Sequence, residues 1–142
     1  MDFDPGSDYP LSTNRPDLVS TAGGTPLAEL TLEALRAGRL SADDIRATPE
    51  TLRRQAAVSE AAGRPQLAGN LTRAAELALV PVDVILELYT AMRPHRSSGP
   101  DLEAWADRLE AEWGARLTAA LVREAAGIYA RRGLLADARA AV

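Results

Sequence analysis

Gly63 and Pro65 stand one residue apart in the stretch Ala62-Gly63-Arg64-Pro65-Gln66-Leu67, between two runs whose apolar residues recur every three to four positions. Glycine ends a helix in a left-handed conformation that other residues adopt only with strain, and proline suits the first helical turn, where its missing N–H is not needed. The pair predicts two helices meeting at a tight elbow. Further prolines at Pro49, Pro81, Pro94 and Pro100 divide the surrounding chain into helical periods separated by joints.

Apolar residues make up 46% of the chain and aromatic ones only 4%. The core must therefore be built mostly from Ala, Leu and Val, many of them strong helix formers, and the expected fold class is all-α. At 142 residues the chain fits one compact domain and is too short for a (β/α)8 barrel of roughly 200 residues or more. The expected layout is an extended N-terminal arm over 1–26, a helical domain over 27–135 and a tail over 136–142. The arm holds Pro5, Pro10, Pro16, Pro26 and the Gly23-Gly24 pair without a helical period. Its Phe3, Tyr9, Leu11, Leu18 and Val19 are more apolar than a plain linker needs, which fits either an arm laid on a partner chain or a loose terminus.

Thr31 is placed to cap a short helix through Leu32 and Leu35, stopped by Gly38, and Ser41 with Asp44 resembles a shortened capping box. Thr48-Pro49-Glu50 marks the start of a longer helix to about Ala62, with Leu52, Ala56 and Ala57 on a small-residue face beside Arg53 and Arg54. The next, about Pro65 to Leu79, puts Leu67, Leu71, Ala74, Ala75 and Ala78 on one stripe, and a third, about Pro81 to Met92, turns Val82, Ile85, Leu88, Tyr89 and Met92 inward. Ser98 caps a fourth, about Pro100 to Trp113, whose stripe is Leu102, Trp105, Ala106, Leu109 and Trp113. After Gly114, a last helix carries Leu117, Leu121, Ala125 and Ile128, flanked by Val122 and Tyr129, and ends near Gly133. No self-similar repeat is present.

Charge narrows the chemistry. All sixteen cationic residues are arginine, against twenty acids, for a net charge of −4. Without lysine there is no P-loop lysine, Schiff base or lysine general base. The mild acidity argues against broad nucleic-acid binding. Without cysteine there is no disulfide, thiolate metal site or cysteine nucleophile, and the cytoplasm is the expected compartment. Asp2, Asp4 and Asp8 do not read as a secretory signal, and the most apolar run, Leu77 to Leu88, is broken by Pro81, Asp83 and Glu87, so no membrane span is expected.

Catalytic groups are sparse. The one histidine, His95, lies in a Pro-Arg-Ser loop, where a surface or helix-end role is commoner than general acid or base work. Asp43-Asp44 and Glu103, Asp107, Glu110 and Glu112 fit capping and solvated helix faces better than a carboxylate pair or metal site. Ser97 and Ser98 lack a nucleophile-elbow setting, and Asn70-Leu71-Thr72 is a chance sequon. The arginines Arg53, Arg54, Arg64, Arg73, Arg93, Arg96 and Arg123 suit carboxylates across a protein interface, because the guanidinium fork makes two charge-assisted bonds. On residues alone, an interaction role fits best, including that of a freestanding helical adaptor binding an acidic protein partner.

Several segments in collinear order sharpen this. They are Tyr9-Pro10-Leu11, Leu30-Thr31-Leu32-Glu33, Pro49-Glu50-Thr51-Leu52, Ala61-Ala62-Gly63-Arg64-Pro65-Gln66-Leu67-Ala68, Arg73-Ala74-Ala75-Glu76-Leu77, Arg93-Pro94 with Arg96-Ser97-Ser98, and Val122-Arg123-Glu124-Ala125-Ala126 with Tyr129 and Arg132-Gly133-Leu134-Leu135. Together, from Tyr9 to Leu135, they resemble the small (gamma) subunit of adenosylcobalamin-dependent diol and glycerol dehydratases. Gly69, Leu71 and Gly127 depart from the family's usual residues, and the alanine-rich tail extends past it.

The resemblance implies a helical subunit in a dimer of heterotrimers with large (alpha) and medium (beta) chains. It implies that those chains hold the metal ion and the adenosylcobalamin, and that the assembly converts 1,2-propanediol, glycerol or ethanediol to aldehyde and water by a radical route. No catalytic, cofactor-binding or metal-binding residue is carried over to this chain. Tyr9, Arg64, Pro65, Arg93, Arg96 and Arg123 are the expected partner contacts. The arm before Tyr9 lacks an evident amphipathic targeting helix, so a free cytosolic complex is expected over one enclosed in a bacterial microcompartment.

Overall fold

Side-chain oxygens start three of the helices of this chain. In a computed structural model, which describes residues 3–136, Thr31 Oγ1 accepts from the Ala34 N–H at 3.1 Å and Thr48 Oγ1 from the Thr51 N–H at 3.1 Å. Ser98 and Asp101 form a reciprocal capping box: the Asp101 N–H donates to Ser98 Oγ at 3.3 Å and the Ser98 N–H to Asp101 Oδ2 at 2.8 Å. The described residues form seven α-helices: α1 (Leu11–Asn14), α2 (Leu32–Arg36), α3 (Pro49–Ala61), α4 (Pro65–Leu77), α5 (Val82–Ala91), α6 (Gly99–Trp113) and α7 (Arg116–Arg132). The all-α class expected from composition holds.

The caps carry a pH dependence. The Ser98 hydroxyl, then its backbone N–H, hold the Asp101 carboxyl below its usual range, and the Ser41 N–H and hydroxyl do the same for Asp44. A group with a depressed folded pKa contributes stability that is complete above its unfolded value, about 3.9, and is lost as pH falls through the folded value. Helix content measured by circular dichroism is expected to hold down to about pH 5 and to fall below about pH 4, with a shallower fall in Asp101→Asn. Identical acid profiles for the two proteins would remove the capping box as a cause.

The N-terminal segment is more structured than the extended arm expected from its prolines. Short α1 is followed by a 3-10 turn, Pro16–Leu18, and an antiparallel bridge between Ser20 and Pro26. The cause is local polar bonding of the kind Asp and Asn favour in turns. Asp4 Oδ1 accepts from the Gly6 N–H at 2.9 Å, Asn14 Nδ2 donates to the carbonyls of Ser7 and Tyr9 at 3.2 and 3.1 Å, and Arg15 pairs with Asp8 at 3.2 Å and Asp17 at 3.0 Å. Arg54 of α3 is buried; it donates to the Leu18 carbonyl and pairs with Glu50 at 2.7 Å, joining this segment to α3. Of the expected tail over 136–142, all but Ala136 lies outside the described residues.

The chain divides into two compact units, one ending at Ala75 and one beginning at Glu76. In the first unit, every buried hydrophobic residue described is an alanine: Ala34, Ala56, Ala68 and Ala75. Its Tyr9, Leu32, Leu35, Ile45 and Leu67 are exposed. The second unit has a core of larger side chains, with Leu88, Leu102, Ala106, Leu109, Ala115, Ala119 and Val122 in one cluster and Met92, Trp105, Trp113, Ala126, Tyr129 and Leu135 packed against it. Gly114, at φ 64°, reverses the chain between α6 and α7, which pack together along their length.

The α6 stripe is as expected, but three others are rotated. On α7 the inward line is Ala115, Ala119, Val122, Ala126 and Tyr129, while Leu117 and Leu121 are 48% and 40% exposed. On α5, Val84 and Leu88 turn inward, as does Met92 at its end, and Val82 and Tyr89 turn outward; on α4, Ala68 and Ala75 are buried and Leu67 exposed, and Ala78, just past the end of the helix, is exposed too. Each helix carries two apolar lines at helical spacing. In α7, the line with alanines lets the backbones of α6 and α7 approach closely, and dense packing favours that choice over burying the larger residues.

Candidate functional site

The elbow places a cation at a rigid corner. Gly63 has φ 71°, its N–H donates to the Glu60 carbonyl at 2.9 Å and the Arg64 N–H donates to the Ser59 carbonyl at 2.8 Å, the bond pattern of a Schellman helix end. Pro65 then opens α4, and the Arg64 carbonyl accepts from the Ala68 N–H at 3.0 Å. The Arg64 backbone is thus held by both helices while its side chain stays exposed. Beside it runs a groove of about 580 Å³ lined by Tyr9, Val58, Ala62, Arg64, Leu67 and Leu71, with Gln55 and Ser59. The structure brings Tyr9, Arg64 and the Pro65 joint together.

Arg93 and Arg96 lie in the second unit, in the loop between α5 and α6. The loop is held by its backbone: the His95 N–H donates to the Leu134 carbonyl at 2.7 Å and the Ala136 N–H to the Ser97 carbonyl at 2.9 Å. Ser97 Oγ donates to the Ala91 carbonyl at 2.9 Å, and Tyr129 Oη donates to the Met92 carbonyl at 2.7 Å. His95 itself is exposed at φ 62°. A groove of about 540 Å³ opens between Leu86, Thr90 and Ala91 on one side and Arg96, Ser97 and Trp105 on the other, with Glu87 at its rim.

Arg123 is engaged within the chain. Its guanidinium meets Glu103 at 2.6 Å, Asp107 at 2.7 Å and Glu110 at 2.8 Å, and the bonds to Glu110, Glu103 and Asp107, in that order, raise its pKa above the ordinary arginine value. It fastens α7 to α6. Arg108 is likewise occupied, stacked 5.2 Å from the Trp105 ring centroid and 5.3 Å from that of Trp113, with Glu112 at 3.1 Å. With Arg54 buried and Arg73 bonded to Asn70, the arginines available on the first unit's surface include Arg53 and Arg64, and on the second Arg93 and Arg96.

The acidic clusters of the sequence resolve the same way. Asp44 receives the Ser41 N–H and hydroxyl at 2.8 Å each, and the α6 acids are divided between Arg123 and Arg108. Among the described residues, no group of three or more His, Cys, Asp or Glu side chains is placed to hold a metal ion, and no helix is long and apolar enough to cross a membrane.

Two structural anchors were not read as such from the sequence: Glu76 was not singled out, and Arg54, counted among the arginines suited to an interface, is buried instead. Glu76, in the last turn of α4, accepts from the Leu117 N–H at 2.9 Å, the Thr118 N–H at 2.8 Å and Thr118 Oγ1 at 2.8 Å, capping an α7 whose own N-cap, Ala115, has no side-chain bond to offer. A signal was present: an acid at the negative end of its own helix points to a partner elsewhere. Arg54 carries no such local signal, since its role depends on Leu18, far back in the chain.

A family model described as dehydratase small subunit matches residues 5–136. The chain belongs to that family. It is 51% identical over 126 residues to the propanediol dehydratase small subunit of Salmonella typhimurium, covering 89% of this chain and 73% of that protein. To the propanediol dehydratase small subunit of Citrobacter freundii it is 49% identical over 126 residues, with the same coverage of 89% and 73%. The family match spans both units, the elbow and the Arg93–Arg96 loop, which agrees with the resemblance drawn from the sequence segments.

Proposed function

We propose that this chain is the non-catalytic small subunit of an adenosylcobalamin-dependent dehydratase that converts 1,2-diols or glycerol to aldehydes and water, assembled in the cytoplasm with large and medium chains as a dimer of heterotrimers. Beyond family membership, the supporting observation is the inverted burial of the first unit. It buries alanines and exposes Tyr9, Leu32, Leu35, Ile45 and Leu67. Large apolar side chains left exposed while only alanines are buried mark a surface that partner chains cover.

The residues described here do not fit a corrinoid site. Both grooves are open helix-surface depressions, and His95, the one imidazole in the chain, sits exposed on a tight turn. The cofactor and the chemistry therefore belong to the companion chains in this reading. The freestanding adaptor draws less support, because Arg15, Arg46, Arg54, Arg108 and Arg123 are ion-paired internally.

Co-expression with the large and medium chains is expected to yield a stable complex whose dehydratase activity requires adenosylcobalamin. Full activity and stability of those two chains alone would overturn the reading. Within the complex, Arg64→Ala is expected to weaken assembly about tenfold, because a guanidinium fixed at a rigid corner pairs with little entropy loss. Pro65→Ala should cost under about 1 kcal/mol of fold stability and leave assembly unchanged. Equal affinities for wild type and Arg64→Ala, measured by sedimentation, would confine the elbow to a folding role.

A further inference from the structure

The outward face of α5 is a continuous strip. Val82, Leu86 and Tyr89 are 60%, 61% and 70% exposed, and their spacing of four and three puts them on one side of the helix, opposite buried Val84 and Leu88. Arg93 follows just past the C-terminal end of this helix, where its N–H donates to the Thr90 carbonyl at 3.2 Å. Next to the strip lies the groove floored by Ala91 and half-buried Trp105, with Arg96 on its edge.

Charge is distributed unevenly along this surface. Near its C-terminal end the acids are engaged within the chain: Glu87 faces Arg108 at 4.0 Å and Asp101 is bonded to Ser98, while exposed Asp83 lies at the opposite, N-terminal end of α5. Arg93 and Arg96 have no ion-pair partner among the described residues. The strip is therefore apolar from Val82 to Tyr89 and cationic at its C-terminal end.

We propose that this surface docks an amphipathic helix of a companion dehydratase subunit, running antiparallel to α5 and carrying acidic residues in its first turn. The inference rests on the subunit reading above and names the partner chemistry for this face. Val82 to Ala91 spans about 14 Å at a rise of 1.5 Å per residue, room for nearly three turns of apolar side chains at a spacing of three and four. An antiparallel helix brings its positive N-terminal pole to the negative C-terminal pole of α5. Acids in that first turn are favoured by their own helix dipole and meet Arg93 and Arg96 at charge-assisted distance. A large apolar residue one turn on enters the groove against Leu86 and Trp105, the kind of aromatic-floored pocket where binding energy concentrates.

The test compares the full chain co-expressed with both companion subunits, as wild type, as Leu86→Glu and as the double variant Arg93→Glu with Arg96→Glu. All three positions are exposed, so circular dichroism is expected to show an unchanged fold, and each variant is expected to assemble at least about tenfold more weakly. A photo-crosslinking residue at position 89 of the assembled complex is expected to capture a helical companion peptide with Asp or Glu in its first turn. Wild-type affinity in both variants, a crosslink to a second copy of this chain, a crosslink to a companion segment without those acids, or none at all would overturn the docking site while leaving the subunit reading intact. Failure of the wild type to assemble would overturn both.

Discussion

Leu109→Ala is expected to destabilise the isolated chain by about 3–5 kcal/mol, the upper part of the range for deleting a buried leucine side chain. Leu109 is 0% exposed in α6 and belongs to the same core cluster as Ala106, Ala115, Ala119 and Val122. With alanines so prominent in that cluster, few side chains can swing into the space left behind, so the cavity should persist and carry its full cost. Urea unfolding followed by tryptophan fluorescence reads the second unit directly, because Trp105 and Trp113 pack against that cluster. Leu67→Ala, at an exposed site of the first unit, is the control and should change stability by less than about 0.5 kcal/mol. Equal losses for the two variants would mean that the α6–α7 cluster is not the main source of stability.

Glu76→Ala should cost about 2–3 kcal/mol, an estimate set by the worth of hydrogen bonds to a charged group. One carboxylate serves the Leu117 and Thr118 N–H groups and the Thr118 hydroxyl, and Thr118 is buried. Its removal leaves those donors at the start of α7 without the oxygen they were folded around, and Ala115 cannot replace it. Glu76→Gln keeps one acceptor oxygen and the side-chain length but loses the charge that complements the helix pole, so about half the loss is expected. Unchanged unfolding of Glu76→Ala in urea would show that water satisfies this helix end as well as the carboxylate does.

The helices and their ends were legible in the sequence because the interactions that make them are short in range. Thr31, Thr48 and Ser98 each find their partner within three residues, and Gly63, Gly114 and Gly133 each close a helix within its last turn. The N-terminal segment was less legible. Its prolines break any helical period, and its local Asp and Asn bonds build turns that periodicity does not register. The elbow was readable to the residue, and so was the coming together of Gly63, Arg64 and Pro65; that Tyr9 shares a groove with Arg64 was not, since the two positions are joined only by folding.

Family membership and the all-α class followed from residue order and composition, and Leu102, Trp105, Ala106, Leu109 and Trp113 revealed the core line of α6 without help. Which face of α4, α5 and α7 turns inward was decided by tertiary packing. Each of those helices offers more than one apolar line with nearly equal local claims, and the choice depends on how closely a neighbouring backbone can approach. The same holds for the charges. A guanidinium or carboxylate is equally charged wherever it lies, and only the folded chain distinguishes Arg123, surrounded by Glu103, Asp107 and Glu110, from Arg93 and Arg96, left facing outward at the end of an apolar strip.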